Sequence, residues 1–165
     1  MKLIIMFFML SLPAFYGIRL MRKEKHRKKK QLDLARAYDR LVLRNKLSIE
    51  HSDVLGDSIL ALDRRNNKLL LVDHSGPDKR EVCIPLTAIA AAKIIKERNA
   101  KGHIRKIWLQ LKKSNGNIHR VCFFDETTDP VFGLLRFSRR ALHWADRINL
   151  GKLQGKVVLG QEFAF

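Results

Sequence analysis

The chain has 165 residues, 33 Lys and Arg against 16 Asp and Glu, a formal net charge of +17 and two cysteines. That length leaves room for one core-bearing domain. Two cysteines, Cys83 and Cys122, with no C-x-x-C spacing exclude a disulfide-rich scaffold and a zinc ribbon.

The chain begins with an apolar run. Leu3 to Ile18 (LIIMFFMLSLPAFYGI) holds no charged residue, and the stretch to Met21 is nineteen residues long. As a helix it spans roughly 28 Å, close to the hydrocarbon thickness of a bilayer. The reading is a transmembrane anchor over residues 1–21, kinked at Pro13, with Arg19 reaching toward the headgroups. The competing reading is a cleaved signal peptide. Its basic n-region would be Lys2 alone, and Ala14 and Gly17 make a poor cleavage site.

A block of charge follows directly: Arg19, Arg22, Lys23, Lys25, Arg27, Lys28, Lys29 and Lys30, against the single acid Glu24. Positive flanks stay on the cytoplasmic side, so the expected topology is single-pass in the inner (plasma) membrane with the C-terminal domain in the cytoplasm. There the two thiols are expected free and buried. Between Arg19 and Lys46 twelve basic residues face three acids. Charge clustered beside an apolar span suits an anionic leaflet, at about 1 kcal/mol per basic residue near the surface. The eight basic residues are therefore the candidate anionic-lipid contacts. The plainer reading is a stop-transfer flank with no ligand role.

Residues 22–47 read as a basic juxtamembrane helix. From Gln31 to Leu47, Leu34, Tyr38, Leu41 and Asn45 recur at helical spacing, with Ala37 and Val42 beside them. The stripe is too short for a coiled-coil seam, and is expected to pack on the following domain. That domain covers residues 48–150. Ser58–Asp63 (SILALD) and Lys68–Asp73 (KLLLVD), joined by Arg64-Arg65-Asn66-Asn67, predict an antiparallel hairpin. His74 to Asp78 is a loop, and Glu81–Pro85 a third strand. Leu86–Glu97 (LTAIAAAKIIKE) is open: its alanines and lysines favour helix, its neighbours favour strand. Ile104–Lys112 alternates, with Ile107, Leu109 and Leu111 on one face, and returns through Asn115-Gly116, a type I′ turn signal, into Asn117–Phe124. Asp129-Pro130 is read as a helix start. Leu134, Phe137, Ala141, Trp144, Ala145 and Ile148 form the apolar face of that helix, and Arg136, Arg139, Arg140, His143 and Arg147 its basic face. Asn149 and Gly151 are read as its end, leaving residues 151–165 as a tail that adds a strand at Val157-Val158-Leu159 or lies loose.

In the order of its elements, across Ile59–Asp73, Ile104–Asp125 and Ala141–Asn149, the chain resembles bacterial membrane proteins with a pleckstrin-homology-like (PH-like) domain. The resemblance implies an α+β fold: an N-terminal transmembrane helix, then a bent antiparallel β-roll plugged by one C-terminal helix. It also implies that Ala90–Lys96 is a strand. It offers a scaffold and no activity. Some members contact phosphoinositides through basic residues between their first two strands, and Arg64 and Arg65 match that pattern only loosely.

Candidate chemistry is sparse. His26, His51, His74, His103, His119 and His143 show no H-x-H, H-E-x-x-H or Cys/His zinc spacing, and are expected on the surface and in loops. Asp125, Glu126 and Asp129 are read as helix-capping acids, with Asp53 and Asp57 as a second carboxylate pair. No phosphate-binding glycine loop or nucleophile elbow is present. For nucleic acid the candidates are Arg136, Arg139, Arg140, Arg147 and the pairs Arg105-Lys106 and Lys112-Lys113. A solvated basic face accounts for them more simply. The expectation is a membrane-anchored, non-catalytic interaction module without catalytic, metal or cofactor residues. A small tethered enzyme and a nucleic-acid-binding domain are the alternatives.

Overall fold

The computed structural model describes residues 24–25 and 27–161, with side chains to Lys152. The expected anchor over 1–21 and the contacts Arg19, Arg22 and Lys23 lie outside the described residues. No helix among the described residues is long and apolar enough to cross a membrane.

The fold is α+β. A helix over residues 27–44 (α1) precedes seven strands: β1 His51–Leu55, β2 Ser58–Asp63, β3 Lys68–Asp73, β4 Arg80–Pro85, β5 Ile89–Arg98, β6 Ile104–Lys113 and β7 Ile118–Asp125. A long helix, α2 (Leu134–Gln161), ends the described residues. Strands β1 to β4 form one antiparallel sheet in sequence order, and β5 to β7 a second.

Strands β2 and β3 lack the alternation of a half-buried strand because both of their faces are covered. Leu60, Leu62, Leu69 and Leu71 point toward the second sheet and α2, where they join Ile107, Leu109, Leu111, Phe124 and Trp144 in the main core. Ile59, Ala61, Leu70 and Val72 point the other way and pack against Leu34, Ala37 and Leu41 of α1. The apolar stripe of α1 thus packs on the domain, as its spacing predicts.

Strand β1 has no strand signature in the sequence, because its polarity is inverted. Val54 is 62% exposed, while His51 and Asp53 turn inward beside Leu55. The tight turn into β2 uses Gly56 at φ +59, a conformation that costs other residues. In the next hairpin Asn67 takes the left-handed conformation (φ 51).

Leu86–Glu97 resolves into a 3-10 turn, Leu86–Ala88, and the strand β5. Its alanines serve clearance rather than helix propensity. Asn149 of α2 bonds both backbone groups of Ala92, each at 3.1 Å, which requires the helix to lie close against this edge strand. The β6–β7 turn corrects the type I′ expectation. It is a longer loop in which Lys113 N–H donates to the Asn117 carbonyl at 2.8 Å, and Gly116 alone takes positive φ (+87).

Both expected ends of the last helix are also corrected. Pro130 is extended (ψ 134), a 3-10 turn Val131–Gly133 follows, and α2 starts at Leu134. The helix does not stop at Asn149 or Gly151, and the Val157–Leu159 run is helical rather than a strand. Asn149 is spent on β5. Gly151 is a close approach rather than a cap, since a Cβ there would meet Leu86 Cδ1 at 2.8 Å.

Candidate functional site

The first turns of α1 carry the described part of the basic block. Lys25, Arg27, Lys28 and Lys29 are exposed, and Lys28 lies 3.9 Å from Glu24 across one turn. Lys30 is different. Its Nζ lies 2.6 Å from Asp57 in the β1–β2 turn, so it ties α1 to the sheet instead of standing free. Four of the eight predicted lipid contacts therefore form one solvent-facing group, one is engaged within the chain, and three lie outside the described residues.

Beside Arg27 and Lys30 opens a cleft of about 960 Å³. Val54, Asp57, Ser75, Cys122, Phe123, Asp125, Thr128, Asp129 and Phe137 also line it. It lies where the start of α1, the β1–β2 turn and the end of β7 meet. Nucleophile–base chemistry needs free, convergent groups. Asp57 is held by Lys30. Asp125 accepts from Lys106 Nζ at 2.7 Å and from Thr127, through both its N–H (3.0 Å) and its hydroxyl (2.7 Å). Asp129 accepts the Asp125 N–H at 2.8 Å, and Glu126 faces Arg105 at 3.6 Å. The three acids thus close a loop at the end of β7, correcting the reading of them as helix caps.

The Lys106 ammonium, with the Thr127 donors, holds the Asp125 carboxyl down at about 2. A depressed carboxylate contributes stability that is complete above its ordinary range near 3.9 and is lost as pH falls toward about 2. Carboxyl titration by NMR is expected to place Asp125 at about 2 in the wild type, and in Lys106→Met to move it upward toward the ordinary value. An unmoved midpoint in the variant would assign the shift to Thr127 alone.

Cys83 and Cys122 are free and half-buried. Burial raises both thiols, Cys122 to about 11, so neither is a ready thiolate near neutral pH. His74 departs from the surface expectation. It is buried, its ring Nε2 lies 3.3 Å from Glu81, and its backbone N–H donates to the Asp57 carbonyl at 2.9 Å. The described residues hold no cluster of three or more His, Cys, Asp or Glu able to take a metal ion.

The strongest polar constellation was invisible in the sequence. Arg140 Nη2 lies 2.6 Å from Asp53 Oδ1, and Arg140 Nε and Trp144 Nε1 donate to Asp53 Oδ2 at 2.7 and 2.6 Å. Burial would raise the Asp53 carboxyl, but these bonds outweigh it and hold it low, while Arg140 is raised in turn. Arg140 therefore belongs to a structural ion pair and not to a free basic face, which corrects its place among the nucleic-acid candidates. Asp53 and Asp57 face different partners and form no carboxylate pair. No local signal marks Asp53, since its partners lie 87 and 91 residues away.

No protein-family model, curated protein or solved structure matches this chain.

Proposed function

We propose that the chain is a single-span inner-membrane protein whose PH-like domain acts as a non-catalytic interaction module held at the cytoplasmic face. The carrying observation is α1. The helix that carries the end of the basic block packs its stripe on the outer face of the first sheet, so α1 and the sheet form one body. Lys25, Arg27, Lys28 and Lys29 then stand in solvent within a few residues of the span, where anionic headgroups attract them. The four-stranded and three-stranded sheets and the closing helix support the PH-like reading of the scaffold.

The cleft favours a second reading, a small tethered enzyme, because it is large enough for a ligand. Against that reading, Asp57, Asp125 and Asp129 are engaged and the Cys122 thiol is pushed up to about 11.

The test uses the full chain in cells. It is expected to resist carbonate extraction, and its domain to be cut by added protease in inside-out membrane vesicles but not in right-side-out ones. A soluble product shortened at its N-terminus, or cleavage from the outside, would replace the anchor with a signal peptide.

A further inference from the structure

The 3-10 turn before α2 and the first turn of α2 present apolar side chains to water. Phe132 is 92% exposed, Leu135 73% and Val131 71%. Single exposed apolar residues need no account, but three within five positions make a patch. Folding supplies no reason for Phe132 here, because its ring is covered by nothing in the domain. The adjacent Gly133 is buried instead, and a Cβ there would meet the Phe137 ring at 2.8 Å. Gly133 thus leaves room for the Phe137 ring of the following helical turn, while Val131 and Phe132 are exposed.

Position decides what covers the patch. Thr128, Asp129 and Phe137, on either side of the turn, line the same cleft as Arg27 and Lys30. Phe132 is three residues from Asp129, so at most about 11 Å of chain separates them. Met21, the end of the apolar run, is six residues before Arg27, at most about 22 Å of chain. The turn that carries the patch and the start of α1, from which the chain runs back to its apolar stretch, therefore border one cleft of the domain. The carboxylates around that cleft are engaged by Lys106, Arg105, Lys30 and the Asp125 N–H, while Arg27, Lys28 and Arg136 stay exposed. Exposed apolar side chains beside the exposed Arg136, next to a cleft that Arg27 also lines, fit the boundary between acyl chains and anionic headgroups.

We propose that Val131, Phe132 and Leu135 form a wedge that enters the bilayer beside the anchor and fixes which face of the domain meets the membrane. This deepens the membrane-anchored reading and rests on it. The wedge supplies what the basic block alone does not. Charge attracts without orienting, whereas an inserted ring gives the domain a second fixed point.

The test places a photoreactive benzoylphenylalanine at position 132, or at position 43 as control, in the full chain reconstituted into phosphatidylethanolamine–phosphatidylglycerol vesicles. Leu43 is 77% exposed but lies in the last turn of α1, three turns or more beyond Lys30. After illumination, mass spectrometry is expected to find acyl-chain adducts at 132 in about tenfold excess over 43, since seating a phenyl ring in hydrocarbon favours that state by about that factor. Equal adducts at the two positions, or none at 132, overturn the wedge, and so does a cross-link at 132 to a second copy of the chain. Carbonate extraction of the same vesicles separates the two claims. A chain that resists extraction without adducts at 132 keeps its anchor and loses the wedge. A chain that is extracted yet forms the adducts keeps the wedge and loses the anchor.

Discussion

A chain beginning at residue 47 is expected to aggregate, whereas one beginning at residue 24 stays monodisperse and melts cooperatively. The cause is the outer face of β2 and β3. Ile59, Leu70 and Val72 are at most 6% exposed, and Leu34 and Leu41 of α1 are the side chains that cover them. Five large apolar side chains at about 1.5–3 kcal/mol each make roughly 8–15 kcal/mol of gross burial. The whole net stability of a domain this size is about 5–15 kcal/mol. Even after the entropy of ordering α1 is set against it, losing this layer removes most of the margin. It also bares an apolar sheet face for other copies to pair with. Ala37→Glu in the longer chain provides the point version, because Ala37 is 1% exposed against the sheet. Size-exclusion chromatography and thermal melts read both. A monodisperse chain from residue 47 with an unchanged melting temperature would show that α1 is no part of the folding unit.

The second large effect centres on Trp144. Trp144→Ala is expected to cost about 3–5 kcal/mol in urea unfolding, the usual loss for an aromatic side chain removed from a packed core. Trp144 is fully buried, and its ring lies 5.2 Å from that of His51 on β1. Asp53→Ala keeps the ring but strands the indole N–H and the Arg140 guanidinium, at a cost of about 2–3 kcal/mol. Trp144→Phe, which removes only the donor and some area, is expected to cost less. Combined, Asp53→Ala and Trp144→Phe should cost less than their sum, because the first change in the pair already removes the shared bond. Strict additivity would mean that the 2.6 Å contact contributes nothing of its own.

The sequence was readable where one element's pattern answered to one surface. Strand β6 alternates because only one of its faces meets the main core, and Ile107, Leu109 and Leu111 are fully buried. The stripe of α1 and the apolar face of α2 were visible for the same reason. It was unreadable where a residue answered to a distant partner. Asp53 is an acid on an edge strand with its partners on α2, so β1 carried no strand pattern of its own. Asn149 and Gly151 carried the chemistry of a helix end, but one pairs with Ala92 and the other makes room for Leu86. The alanines of β5 measured the distance to α2 rather than a preference for helix. Of the predicted lipid contacts, the basic block was legible as charge, yet only the structure separates Lys30, bound to Asp57, from its exposed neighbours. Phe132 stood out by no spacing rule, because a side chain that projects from a 3-10 turn belongs to no periodic face.

The docking of α1 on the first sheet has a mechanical consequence. A domain on a flexible linker forgets the orientation of its attachment point within a few residues. Here the helix is about 27 Å long at 1.5 Å per residue. It is fixed to β2 and β3 along Leu34, Ala37 and Leu41, and pinned near its start by Lys30 to Asp57. A rotation or tilt imposed on the chain at residue 27 is therefore delivered to the sheet as a whole, as a shaft turns the part keyed to it.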